Sequence, residues 1–130
     1  QVVVACGGGG IPVIEDPSGD LVGVEAVIDK DLASSLLARA LEADMLALPT
    51  GVEKVALDFN KPTQRWLDRM TLAEAKRYYA ENQFDAGSMG PKVVALIDFV
   101  GGGGRTGLIT NAPNLARALR GETGTLVVAA

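Results

Sequence analysis

The 130-residue chain has no histidine and a single cysteine, Cys6. Without histidine, Ser-His-Asp and Cys-His catalysis and His-ligated metal centres are excluded within the chain. One cysteine excludes an intrachain disulfide and a thiolate cluster for zinc or iron–sulfur. It fits a reducing compartment such as the cytoplasm. Without a histidine partner, Cys6 reads as a small buried residue rather than a nucleophile. Aromatic residues make up only 5% of the chain. Trp66, Tyr78, Tyr79 and Phe84 are too scattered for a base-stacking platform and read as packing residues. Basic residues are outnumbered, 12 Lys plus Arg against 16 Asp plus Glu. That balance argues against a nucleic-acid partner while leaving room for a local basic pocket for phosphate. No apolar run approaches the roughly 18 residues needed to cross a bilayer, so no membrane partner is expected. Residues 1–5 lack the basic leader of a signal peptide.

What remains is ordinary globular composition, 48% apolar and 22% charged, which suits one domain over residues 1–130. The chain opens without an initiator Met on Val2-Val3-Val4 and closes on Leu126-Val127-Val128. Ends that fall inside expected core strands point to part of a larger protein.

Strand and helix signals alternate. Residues 2–5 form a β-branched apolar run that predicts a buried strand, and residues 24–28 predict another. Asp16-Pro17-Ser18-Gly19 has the residues of a type I turn and predicts a hairpin between residues 12–15 and 21–23. Leu32, Leu36, Leu37, Ala40 and Leu41 share one face of a helix expected to end near Ala43, with Ser34, Ser35 and Arg39 away from that face. Residues 45–48 and 55–57 predict strands, with Pro49-Thr50-Gly51 breaking the first. Thr71 and Glu74 fit a capping box, so a helix should run from there to about Glu81. Pro91 suits the first turn of a second helix, with Val93, Leu96, Ile97 and Val100 as its apolar stripe, ending at residues 101–104. A strand over 107–109, a helix over 114–119 and a strand over 125–128 complete the pattern. Continuous rather than alternating apolar strands predict an α/β fold: a three-layer α/β/α sandwich with a mainly parallel sheet plus a small β-hairpin. In such sheets ligands bind beyond the carboxyl ends of the strands, here residues 7–10, 50–54 and 110–113.

Two glycine runs invite a nucleotide reading. Gly7-Gly8-Gly9-Gly10-Ile11-Pro12 carries Pro where a dinucleotide fingerprint needs its third Gly. Gly102, Gly104 and Gly107 have the spacing but follow a helix and enter a strand. No P-loop sequence exists. Residues 7–10 fit equally a tight turn or a cluster of backbone N–H groups around an anion. The run at 101–104 reads as a helix-to-strand joint. In Asp29-Lys30-Asp31, Asp31 could cap the following helix, worth about 1 kcal/mol. Alternatively Lys30 holds a phosphate while Asp31 positions a lysine or a metal. In Gly87-Ser88-Met89-Gly90-Pro91-Lys92, a lysine in the first helical turn opposes the helix dipole by about 0.3–1 kcal/mol unless an anion sits at the same end.

In order and approximate spacing, three segments resemble those of the carbamate kinases, within the amino acid kinase family. They are Gly7-Gly8-Gly9-Gly10-Ile11-Pro12-Val13, Gly23-Val24-Glu25-Ala26-Val27-Ile28-Asp29-Lys30-Asp31 and Gly87-Ser88-Met89-Gly90-Pro91-Lys92. Thr50-Gly51-Val52 and Lys61-Pro62 are similar to the family's nucleotide segment. Asn60, where glycine is usual, and Ala56, where a larger residue is common, depart from it. The resemblance implies an incomplete amino acid kinase fold, the chain being its C-terminal, ATP-binding half. The N-terminal half of such enzymes supplies a glycine loop and a further lysine that have no counterpart here. The implied activity is reversible phosphoryl transfer between ATP and carbamate, with carbamoyl phosphate plus ADP giving ATP. Alternatives are a non-catalytic nucleotide-binding regulatory module, or another amino acid kinase acting on a carboxylate. The implied catalytic residues are Lys30, Asp31 and Lys92. Gly8, Gly9 and Gly10 would bind substrate, and Thr50, Gly51, Val52, Met89 and Lys92 would bind nucleotide. Mg²⁺ would accompany ATP or ADP with few protein ligands. The full-length protein would be a homodimer.

Overall fold

The computed structural model describes residues 2–4 and 7–130. The Asp16-Pro17-Ser18-Gly19 turn forms, with the Gly19 N–H donating to the Asp16 carbonyl at 2.9 Å. Asp16 Oδ1 also accepts from the N–H groups of Ser18 and Asp20. The turn joins the antiparallel strands β1 (Val13–Glu15) and β2 (Leu21–Gly23). Helix α1 spans Lys30–Ala40, α2 Leu72–Ala80, α3 Met89–Gly101 and the short α4 Leu115–Leu119. Strands β3 (Met45–Thr50), β6 (Arg69–Thr71), β7 (Thr106–Asn111) and β8 (Thr125–Val128) form a sheet in the order β3-β7-β8-β6. Its outer pairs are parallel and its central pair, β7 with β8, is antiparallel. The sheet is therefore mixed. A second hairpin pairs β4 (Val55–Leu57) with β5 (Arg65–Leu67).

Period-2 alternation along β7 places helices on both faces of the sheet. Gly107 lies against Leu96 of α3, close enough that a Cβ there would sit 2.8 Å from the leucine. Leu108 points the other way and meets Ala118 of α4 beside Gly124. Phe99, Leu96, Val93, Ile109, Val127 and Met70 are fully enclosed between α3 and the sheet. The glycines after α3 have packing reasons of their own. Arg39 covers Gly102, and the ring of the buried Phe99 lies where a Cβ on Gly104 would go, 2.5 Å away.

Several expectations differ from the structure. Residues 2–4 form no strand and are largely exposed; Ala5, the end of that expected strand, and Cys6 lie outside the described residues. Residues 24–28 likewise form no strand: the Val24 N–H donates to the Pro12 carbonyl at 3.2 Å beside the β1–β2 hairpin, and the segment runs on as an irregular connection. Pro49 sits within β3, its missing N–H tolerated on an edge strand, and the break comes only after Thr50. The helix expected over 114–119 opens as a 3₁₀ turn, Ala112–Asn114, with Asn111 accepting from the Asn114 N–H. The largest reversal concerns α1. Its buried face is Asp31, Ser35 and Ala38, while Leu32, Leu36, Leu37 and Leu41 face outward.

The capping box at α2 forms in full: Thr71 Oγ1 accepts from the Glu74 N–H, and a Glu74 oxygen accepts from the Thr71 N–H and hydroxyl. Those bonds, the backbone one first, hold the Glu74 carboxyl below its ordinary value of 4.5. A depressed carboxyl stabilises the fold above its unfolded value and loses that contribution as pH falls through the folded one. Thr71→Ala is expected to cost about 1 kcal/mol near neutrality. In thermal melts, the gap between Thr71→Ala and the unsubstituted protein should narrow as pH drops below 4.5. A gap that stays constant down to complete protonation removes the box from the account of α2.

Candidate active site

Asp29 has the short carboxylate and extended backbone of an N-cap, and its Oδ1 accepts from the N–H groups of Asp31 and Leu32 at 2.8 and 3.1 Å. Asp31 is therefore not the cap, as one reading of the tripeptide had it. It stands in the first turn of α1, buried, facing α3. There the Lys92 ammonium donates to both of its carboxylate oxygens, at 3.0 and 2.9 Å. Lys92 is also buried. The Lys30 ammonium lies 3.7 Å from Asp31 Oδ2, with its side chain 63% exposed. Two cations thus flank the Asp31 carboxylate, one buried and bonded to it and the other, Lys30, largely exposed and free to turn to a ligand.

The glycine loop approaches the same point. Gly9 has φ +122°, and a Cβ on it would lie 2.9 Å from Ile28 Cγ2 and 3.4 Å from the Lys30 Cα. Gly8 and Gly10 have open space where their side chains would be. Three of the sequence-predicted elements, the glycine loop, Lys30-Asp31 and Lys92, therefore converge from separate stretches of chain.

The amino end of α3 differs from expectation in one respect. Ser88 makes no side-chain cap. Instead Asp85 accepts from the Met89 N–H through Oδ2 at 3.2 Å, from the Gly87 N–H through Oδ1, and from the Gly90 N–H through its carbonyl at 2.8 Å. Pro91 has no N–H. The Met89 and Gly90 amides expected to greet a phosphate are occupied by Asp85, and the lysine that opposes the helix dipole is paired with Asp31. What this end of α3 offers an anion is the Lys92 ammonium.

One turn before Lys92, Met89 borders a cavity of about 410 Å³ beyond the carboxyl end of β3. Thr50, Gly51 and Val52 line it as predicted from sequence, and so do Lys61 and Ala56. Lys92, Lys30, Asp31 and the glycine loop stand outside its lining, and residues 110–113 take no part. Sequence reasoning missed Phe59, Asn82, Gln83 and Asp85 and gave Trp66 only a packing role. Phe59 and Trp66 are each 51% exposed and meet edge to face, ring centres 6.3 Å apart, forming an aromatic wall. Phe84, which also lines the cavity, and Tyr78 are buried, whereas Tyr79 is half exposed. Asp58 accepts from the Lys61 ammonium and the Thr63 hydroxyl, both at 3.0 Å, and these bonds hold its carboxyl below the usual carboxylate range. The Gln83 amide oxygen accepts from the Asp58 N–H, tying the loop after β4 to the end of α2. A cavity with an aromatic wall, apolar residues and a few cations suits a planar base with an anionic tail.

The amino acid kinase family model matches residues 1–111. The chain belongs to the amino acid kinase family. It is 50% identical over 127 residues to the carbamate kinase-like protein YahI of Escherichia coli, covering 98% of this chain and 40% of the relative. The same identity and coverage hold for the carbamate kinase of Thermococcus kodakarensis. Among solved structures, the carbamate kinase of Giardia lamblia bound to AMP-PNP matches with a TM-score of 0.89 and 41% identity, over 93% of this chain and 38% of that one. A protein from Aeropyrum pernix matches with a TM-score of 0.87 and 46% identity, over 95% and 39%. The α/β architecture is thus that of the amino acid kinases, and the chain spans about 40% of the length of the curated relatives it matches.

Proposed function

We propose that this chain is the nucleotide-binding part of an enzyme that transfers a phosphoryl group between ATP and carbamate, carbamoyl phosphate plus ADP giving ATP plus carbamate. The observation that carries the proposal is the buried Lys92–Asp31 pair with Lys30 beside it, one helical turn from the cavity that Met89 borders. A phosphoryl group in transfer spreads negative charge over its equatorial oxygens, so catalysis consists mostly of positioning and neutralisation. Lys92 binds the nucleotide phosphates and stabilises the moving group. Asp31 orients both ammonium groups, and Lys30 swings to phosphate. Gly8, Gly9 and Gly10 offer backbone N–H groups to the oxygens of the carbamoyl or phosphoryl group. Thr50, Gly51, Val52 and Met89 shape the pocket for adenine and ribose.

Among the described residues no three His, Cys, Asp or Glu side chains stand together to hold a metal, and both Asp58 and Asp85 are engaged within their own loops. Mg²⁺ is proposed to enter with ATP or ADP and would supply charge neutralisation there, with few protein ligands because the ion tends to keep its waters. The protein in which the chain works is proposed to be a cytoplasmic homodimer, by resemblance to the carbamate kinases.

Calorimetry with ADP tests the nucleotide site. Base–aromatic stacking contributes about 1–3 kcal/mol, so Trp66→Ala should weaken ADP binding by about tenfold or more. A coupled assay should register ATP formation from carbamoyl phosphate and ADP by the complete polypeptide. ADP affinity that is indifferent to Trp66 would remove the cavity from the proposal, and ADP binding without turnover would favour the regulatory module.

A further inference from the structure

The aromatic wall of the cavity, Phe59 and Trp66, belongs to the β4–β5 hairpin. Two antiparallel strands of this length are marginal in water by themselves. The tip of the hairpin is braced internally: Asp58 accepts from Lys61 and Thr63, and the Gln64 side-chain oxygen accepts from the Asn60 N–H at 2.8 Å. A braced tip moves as one piece. Its angle to the cavity is therefore decided where the hairpin meets the rest of the molecule, at Gln83 beside the tip and at Thr125 beneath the base.

Thr125, the first residue of β8, is fully buried, on the same face of the sheet as Val127. Its Oγ1 accepts from the Val55 N–H at 2.8 Å and donates to the Leu67 carbonyl. Val55 and Leu67 stand opposite each other in the hairpin, and the next pair is Ala56 opposite Trp66, both lining the cavity. One hydroxyl thus links the two strands one residue away from the lining. Its own seat is firm. The preceding Gly124, with φ +84°, packs so closely on β7 that a Cβ there would lie 2.9 Å from Leu108 Cδ1 and 3.1 Å from the Ile109 carbonyl oxygen. The Leu126 N–H donates to the Asp68 carbonyl at 2.9 Å. The Thr123 hydroxyl donates to the Glu53 carboxylate, between the lining residues Val52 and Lys54.

We infer that Thr125 is a positioning residue of the nucleotide site: its hydroxyl sets the angle of the β4–β5 hairpin and so holds the Trp66 indole against the base. The inference rests on the nucleotide reading of the cavity and adds the residue that aims its aromatic wall. A side chain acting in this way governs binding of the base and leaves the chemistry at Lys92, on α3, alone. Valine has the shape of threonine without the hydroxyl, and in so enclosed a place the two lost bonds leave a donor and an acceptor unpaired.

Calorimetry with ADP and steady-state kinetics on the complete polypeptide test this. Thr125→Val should weaken ADP binding by about three- to tenfold, approaching the loss from Trp66→Ala. It should raise the KM for ADP while kcat stays within about twofold. Thr125→Ser, which keeps the hydroxyl, should restore the affinity. On a Trp66→Ala background, Thr125→Val should cost no further affinity, because the two residues act through one contact. Thr71→Ala, which lowers stability at the end of α2 away from Gln83, should leave ADP affinity unchanged and so separate aim from a general loss of stability. If Thr125→Val does not fold, Thr125→Cys, whose thiol bonds only weakly, should still weaken ADP binding by about twofold or more. Affinity that depends on Trp66 but not on the hydroxyl, or losses that add in the double variant, overturns this assignment alone. Affinity indifferent to Trp66 overturns the nucleotide reading and this assignment with it.

Discussion

In the complete polypeptide, Lys92→Met is expected to lower the rate of ATP formation by about 10²–10³-fold, the effect of removing one preorganised group from a developing charge. The same substitution should destabilise the fold, because it strands the buried Asp31 carboxylate. Breaking a buried ion pair costs about 3–5 kcal/mol when nothing replaces the lost partner. Here Lys30 remains 3.7 Å away, so the cost should fall below that range. Stability and activity can then be separated. Replacing both partners by apolar residues of similar size is often neutral or stabilising. Lys92→Met combined with Asp31→Leu should therefore melt close to the unsubstituted protein while remaining as inactive as the single variant. If the pair serves only to hold α1 against α3, activity should return together with stability in the double variant, and the catalytic assignment fails. Circular dichroism melts and the coupled assay on the unsubstituted protein and these two variants decide the question.

The pair shows which parts of the site the sequence can express. Lysine in the first turn of a helix is a local conflict, and local conflicts are visible in a string of residues. That its resolution is Asp31, 61 positions away, depends on α1 and α3 packing side by side. The capping box at Thr71 was fully legible because both partners lie within one turn. So were the β1–β2 turn and β4, where an apolar run meets strong breakers. The periodicity of α1 correctly revealed an amphipathic helix but assigned its apolar side to the interior. Periodicity states that two faces differ, and what covers each is a tertiary fact. Strands β5 and β6 escaped notice because each is three residues long and begins with an arginine. They exist because β4 and β8 supply partners, through Ala56 opposite Trp66 and Met70 beside Val127. The cavity was half legible. Thr50, Gly51, Val52 and Met89 came from motif resemblance. Asn82, Gln83 and Asp85 sit in the connection between α2 and α3, which has no periodicity to read.

That connection yields the second large effect. Gly90→Ala places a methyl group 2.7 Å from the carbonyl oxygen of Asp85, an atom of the backbone and the acceptor of Gly90's own N–H. Alanine improves helix propensity by about 1 kcal/mol over glycine, which pulls toward stabilisation. A contact this short against backbone cannot be relieved by a rotamer change, and overpacking of this kind costs about 1–3 kcal/mol. The balance favours destabilisation. The functional consequence should be larger than the loss of stability, because Asp85 sets where α3 begins. Displacing that start moves Met89 at the cavity and Lys92 at the ion pair together. A shift on the order of 1 Å in a positioning element can cost about a hundredfold in rate. We therefore expect Gly90→Ala to lower phosphoryl transfer by about 10–100-fold and to weaken ADP binding in the same protein. Gly87→Ala is the control, three residues upstream, where the added methyl would find only Asp85 Oδ1 at 3.8 Å. Should both alanine variants turn over and melt alike, the Asp85 brace has no part in aiming Lys92, and the start of α3 is set by its packing on the sheet alone.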